Sequence, residues 1–190
     1  MQTPIILASA SPRRQELLGF ITNDFIVIPA EIEEVPQKNE TAKGYADRLA
    51  FEKAEAIFQR YPDHFIIGAD TVVCKGRRIL EKPRDRLEAE HFLRLLSGGR
   101  HRVYTGVCVL APSGAQVRKV IMSSVRFFRL HDKEINHYLD SNEWEGKAGG
   151  YAIQGRGALL VKDIQGCHFN IVGLPISVLA RCLRGLGAIH

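Results

Sequence analysis

Strand-like and helix-like patterns alternate along most of this chain, and nothing else in it narrows the possible folds as much. Short apolar or β-branched runs at residues 4–8, 24–29, 65–69, 71–75, 102–111, 117–128 and 157–163 read as strands, and helical spacing appears at 12–19, 42–60, 87–96, 132–141 and 174–186. Such alternation leads to an α/β or α+β layer architecture, because each apolar face must be buried against an element of the other kind. The segment APSGAQ, from Ala111, reads as a hairpin turn between two long strands, which makes the sheet mixed rather than all parallel. No linker or internal repeat divides the 190 residues, a length that suits one α/β domain over residues 1–190, with a central mixed sheet flanked by helices.

The net charge of +5 and a pI near 9.1 favour anionic partners, yet the basic residues are scattered rather than gathered in a tail. A small phosphorylated substrate explains that balance as well as nucleic acid does. Cys74, Cys108, Cys167 and Cys182 lie far apart with no paired metal spacing, which points to reduced core thiols. The start, MQTPIILAS, has no basic segment before a short apolar run, so a cytoplasmic protein without a membrane anchor is expected.

The segment LASASPRR, residues 7–14, ends a strand and begins a helix. Ser11 suits the N-cap and Pro12 the first helical position, where a missing N–H costs nothing. Ser9, Arg13, Arg14 and the free N–H groups of the helix start would then face an anion. The same residues also make an ordinary capped helix with two solvated arginines. In GADTVV, residues 68–73, Asp70 interrupts a run that otherwise reads as buried strand, where an unpaired carboxylate is costly. It either caps a strand end or faces a cleft holding a metal or water, with the Thr71 hydroxyl available to orient a ligand.

In LEKPRD the proline holds Lys82 in extended backbone, as a phosphate contact or in a solvated turn. In KAGGYAIQGRG, residues 147–157, glycines allow close backbone approach and Gln154 offers both a donor and an acceptor to a base edge. A purely structural glycine loop is the other reading. Lys53, near the border of an apolar helix face, and Glu33, in EIEEVP, carry weaker individual signals. The chain has no G-x-x-x-x-G-K-[ST] phosphate loop, no H-E-x-x-H and no G-x-S-x-G elbow, so the usual nucleotide-kinase and serine-hydrolase readings lack support.

Taken in order, LASASPRR, Glu33, RLAFEKA with Lys53, GADTVV, LEKPRD, LSGGRHRVYTGV, KAGGYAIQG and FNIVGLP resemble the Maf family of nucleoside triphosphate pyrophosphatases. The resemblance implies an elongated domain with a deep cleft, similar to the inosine triphosphatase architecture, and hydrolysis between the α and β phosphates with Mg²⁺ or Mn²⁺. It implies substrate-binding roles for Ser9, Arg13, Arg14, Lys53, Thr71, Lys82 and Gln154, metal binding by Glu33 and Asp70, and Asp70 as proton acceptor. Arg13, Thr71 and Gln154 look like the dTTP/UTP-hydrolysing branch rather than the 7-methyl-GTP branch. QGCHFN, residues 165–170, departs from the family's usual small polar residue followed by tyrosine. The family's link to septum formation leaves a partner-binding or nucleic-acid-binding regulator as the alternative, with nucleic acid disfavoured by the paired carboxylates. A homodimer is compatible with the resemblance.

Overall fold

The computed structural model describes residues 4–189; Met1 to Thr3 of the MQTPIILAS segment, and His190, lie outside them. The elements run β1 (Ile5–Leu7), α1 (Pro12–Gly19), β2 (Phe25–Val27), α2 (Ala42–Phe58), β3 (Phe65–Lys75), β4 (Arg78–Leu80), α3 (Arg86–Leu96), β5 (Arg100–Leu110), β6 (Gln116–Phe127), α4 (Asp132–Leu139), β7 (Val161–Gln165), α5 (His168–Val172) and α6 (Ile176–Gly185). The strands form one sheet in the order β2-β1-β3-β5-β6-β7, with β4 added to β3. β2, β1 and β3 pair in parallel, while β3, β5, β6 and β7 pair antiparallel, so the sheet is mixed. The APSGAQ turn joins β5 to β6 as expected, with Leu110 opposite Gln116.

α2 covers one face of this sheet. It starts where the Thr41 hydroxyl accepts from the Gly44 N–H, and it packs Ala46, Leu49, Ala50 and Ala54 over the strands. Two glycines let it lie close: a Cβ on Gly68 would stand 2.1 Å from the Ala50 carbonyl oxygen, and one on Gly106 would stand 2.1 Å from that of Ala46. The opposite face is covered by α1, α3, α4 and α6, whose Leu17, Phe92, Ile135 and Leu179 share one apolar cluster with Val73, Val103 and Val107.

The sheet has a notch. β1 pairs with β3 only as far as Ile67, and β4 joins it only from Val73, so residues 68–72 of β3 have β5 on one side and neither short strand on the other. Successive side chains of a strand point to opposite faces. Asp70 therefore points toward α2 and Thr71 toward the other layer, and both border the same opening.

Several boundaries differ from the sequence expectation. Residues 65–69 and 71–75 are one continuous strand with Asp70 inside it, because Asp70 has a buried partner and needs no strand end. Residues 157–163 are not a strand throughout: Gly155–Leu160 forms 3₁₀ turns, and β7 begins at Val161. The short elements β4 and α5 have no counterpart among the expected ones. Cys74, Cys108 and Cys182 are buried free thiols and Cys167 is partly buried and also free.

Candidate active site

The notch opens into a cleft of about 510 Å³ lined by residues of LASASPRR, by Glu34, Lys53, Asp70, Thr71 and Lys82, and by the segment 146–154. A smaller lobe of about 230 Å³ shares Glu34, Asp70, Thr71 and Lys82 with it. A volume of this order suits a nucleotide-sized ligand.

On the α2 side, the two glycine seats bring Lys53 onto Asp70. Its Nζ donates to Asp70 Oδ1 at 2.6 Å, and both side chains are about nine-tenths buried. The same Nζ lies 2.6 Å from Glu34 Oε1, and Lys82 Nζ donates to Glu34 Oε2 at 3.0 Å. Charge thus alternates along Lys82, Glu34, Lys53 and Asp70. Burial would raise the Glu34 pKa, but hydrogen bonds and charge from Lys53 and Lys82 outweigh it and bring the carboxyl down to about 2. The second oxygen of Asp70 makes no hydrogen bond among the described residues, so it faces the cleft unengaged.

Glu33 stands outside this arrangement. It is exposed and does not line the cleft; its neighbour Glu34 occupies the place that the sequence reading gave to Glu33. Exposure alternates along this segment, with Ile32 packed against the α2-side core, Glu33 exposed and Glu34 partly buried on the side of Ile32. The signal for Glu34 was therefore the apolar residue two positions earlier.

On the opposite side Arg14 is tied to the protein. Its Nε donates to the Gly173 carbonyl at 2.9 Å, Nη1 to Ser9 Oγ at 3.1 Å and Nη2 to Thr71 Oγ1 at 3.2 Å. Burial lowers its pKa, partly offset by the charges of Asp70 and Glu34. Arg14 is thus a fixed cation in the cleft wall rather than a mobile counter-ion. Arg13 differs: its Nε is buried without a hydrogen-bond partner, and burial and the Arg14 charge lower its pKa. Those two features leave Arg13 short of an anion or acceptor in the cleft.

Ser11 holds the N-cap position but its hydroxyl makes no capping bond; the Ser11 N–H is instead received by Ser9 Oγ at 3.3 Å. Gln154 is exposed at the cleft wall. Its segment is held by the Gly149 N–H to the Glu81 carbonyl at 3.0 Å and by the Ala152 N–H to the Tyr138 hydroxyl at 3.0 Å. The structure brings Ser9, Arg13, Arg14, Lys53, Asp70, Thr71, Lys82 and Gln154 to one opening, with Glu34 added.

Among the described residues no group of three or more His, Cys, Asp or Glu side chains is placed to hold an ion. The donor set is two carboxylates, Glu34 and Asp70, with a free Asp70 oxygen. Such a set fits a hard divalent cation that keeps most of its ligands as water and phosphate oxygens. It does not fit a soft or closed metal centre.

The family model described as Maf-like protein matches residues 4–186. The chain belongs to the Maf-like family. This Maf-like protein is 50% identical over 184 residues to the dTTP/UTP pyrophosphatase of Paramagnetospirillum magneticum, a match covering 96% of this chain and 97% of that one. It is 44% identical over 187 residues to the dTTP/UTP pyrophosphatase of Rhodospirillum rubrum, covering 97% and 88%. The fold of the Maf-like chain is also that of the Staphylococcus aureus Ham1 protein, with a TM-score of 0.58 at 15% identity over 96% of this chain and 99% of that one. A HAM1 protein from Coxiella burnetii gives a TM-score of 0.52 at 16% identity, with the same coverage. No helix of the described Maf-like chain is long and apolar enough to cross a membrane.

Proposed function

We propose that this Maf-like protein hydrolyses pyrimidine nucleoside triphosphates, dTTP and UTP, between the α and β phosphates. The observation that carries this reading is the alternating row Lys82, Glu34, Lys53 and Asp70 beside a nucleotide-sized cleft. Cations neutralise the phosphates there, and a carboxylate handles water. The names of the relatives at 50% and 44% identity support the pyrimidine preference.

The chemistry follows from which groups are free. Lys53 fixes Asp70 through Oδ1, and the open oxygen orients a water and accepts its proton. The water oxygen bonds to the α phosphorus, the bond from that phosphorus to the bridging oxygen breaks, and diphosphate leaves with the electron pair. Lys82 and Arg13 offset the charge that grows on the departing oxygens, and Ser9 and the α1 start bind the remaining phosphate. Mg²⁺ or Mn²⁺, which Glu34 and Asp70 would hold largely through water ligands, would supply Lewis-acid neutralisation of the phosphates when bound and leave the open Asp70 oxygen to the attacking water. A cytoplasmic location suits such a substrate.

The test is release of diphosphate from dTTP, UTP, CTP, GTP and 7-methyl-GTP, with and without Mg²⁺ or Mn²⁺, in ¹⁸O-labelled water. The expected result is fastest release from dTTP and UTP, with label in the monophosphate. Label in the diphosphate would place attack on the β phosphorus, and no release with any nucleotide would leave a binding role. Asp70→Asn is expected to lower turnover roughly 100-fold or more while the protein stays folded.

A further inference from the structure

We infer that the Thr105 hydroxyl helps set the base preference of the cleft by fixing Thr71 as a hydrogen-bond acceptor. Thr71 then takes the N3–H of uracil or thymine and disfavours the bare N3 of cytosine. This rests on the reading of the site as a pyrimidine nucleoside triphosphatase.

A hydroxyl has one proton to give. Thr105 Oγ1 lies 2.8 Å from the carbonyl oxygen of Asn170, which only accepts, so the Thr105 proton is committed there. The Thr71 and Thr105 hydroxyl oxygens are 3.0 Å apart, and the proton between them must then come from Thr71. Arg14 Nη2 donates to Thr71 Oγ1 from the other side. The direction of donation is thereby fixed from Arg14 through Thr71 and Thr105 to Asn170. Thr71 has no proton left for the cleft, only a lone pair.

The far end of this relay is fully buried. Thr105 and Asn170 have no exposed surface, and the Asn170 amide donates to the Val103 carbonyl at 3.2 Å and to Ser123 Oγ at 3.0 Å. Neither Thr105 nor Asn170 lines the cleft, so Thr105 acts through Thr71 as a positioning residue.

The lone pair of Thr71 calls for a donor, and a phosphate oxygen is an acceptor that gains nothing there. Thr71 shares its sheet face with Val73, across from Thr105 and Val103 in register. Val73, Val103, Tyr151 and Ile171 all line the cleft and give it an apolar wall suited to a planar base. The row Lys82, Glu34, Lys53 and Asp70 stands on the other face of β3, while Arg14 links Thr71 to Ser9 at the α1 start, so a phosphate at Ser9 and a base at Thr71 lie on neighbouring parts of one wall. A base against this wall presents its ring edge to Thr71, and N3–H is the donor that uracil and thymine have and cytosine lacks.

The experiment compares kcat and KM for UTP and CTP in the wild type, Thr105→Val and Thr105→Ser, with folding checked by thermal unfolding. Thr105→Val frees the Thr71 proton, so the UTP-to-CTP ratio of kcat/KM should fall roughly tenfold or more, chiefly through KM, since a mismatched donor or acceptor is costly where water is excluded. Thr105→Ser keeps the hydroxyl and should keep the ratio. Equal losses on both nucleotides, or an unchanged ratio in Thr105→Val, would overturn the inference. The triphosphate of pyrimidin-2-one riboside tests it without any variant: its N3 is bare and C4 carries no substituent. Turnover by the wild type as poor as that of CTP supports the lock, and turnover equal to that of UTP refutes it. Failure of the wild type to hydrolyse any nucleotide would instead remove the proposed function.

Discussion

The single residue on which the carboxylate side of the cleft turns is Lys53, because one ammonium holds two carboxylates in place. Replacing it by methionine leaves Asp70 buried without its partner, a loss of the kind that costs about 3–5 kcal/mol, and urea unfolding of Lys53→Met should show destabilisation of that order together with lost turnover. Glu34 makes the acid behaviour of the site testable. Its folded pKa of about 2 lies below the ordinary 4.5, so its contribution is present above pH 4.5 and is lost as pH falls toward 2; Glu34→Gln should flatten stability across that window. His101 acts at higher pH. Buried against Tyr151, with Nε2 2.7 Å from the hydroxyl, it is kept neutral by burial and, to a lesser degree, by the Lys75 charge, with its pKa down to about 3. Stability tied to His101 is therefore full above 6.5 and lost as pH falls through that value toward 3, and His101→Gln should lose less Tm than the wild type between pH 7 and pH 5. At this scale Asp70 was legible, since a lone acid in a buried strand demanded a reason. Glu34 was legible over Glu33 only through Ile32, two residues before it and packed on the same side, because adjacent glutamates are otherwise alike in sequence. The unequal duties of Arg13 and Arg14 depend on Gly173, 159 residues from Arg14, and sequence spacing carries no trace of that contact.

Among the elements, α2 sets the geometry of the site through its closeness to the sheet. A methyl group on Gly68 would meet the Ala50 carbonyl, so Gly68→Ala must push α2 outward and draw Lys53 away from Asp70. Overpacking of this kind costs about 1–3 kcal/mol, and the expected outcome is a lower urea midpoint accompanied by reduced kcat. The long helices and the β5–β6 hairpin could be read from periodicity, because each buries a regular stripe or alternates across a face. α5 could not: five residues are too few to hold a helix by propensity, and its hold comes from the buried hydrogen bonds of Asn170. The apolar run Ala158, Leu159 and Leu160 mimics a strand, yet Leu159 is 72% exposed and only Leu160 is buried, as turns rather than a pleat require. β4 is three residues long and exists because the chain reverses after Lys75.

At the scale of the molecule, one sheet connects every layer and both walls of the cleft border its central strand. We expect a single cooperative transition in calorimetry, as for one folding unit. A non-hydrolysable analogue, α,β-methylene-UTP with Mg²⁺, should stabilise the whole chain by about 2.7 kcal/mol at one hundred times its Kd, read as a rise in Tm. The notch in the sheet carries a further consequence. Because neighbouring residues of one strand serve its two sides, a substitution at Thr71 alters the hydrogen bonds of Arg14 and Thr105 while the Asp70–Lys53 pair stays in place; with the base at Thr71, as proposed, preference and turnover are open to separate variation. The length of β3 has no such freedom: inserting or deleting one residue before Asp70 would exchange the two sides, turning the carboxylate away from Lys53 and the hydroxyl away from Arg14 and Thr105. Descendants of this chain are thus free to diverge in letters at that strand but not in count.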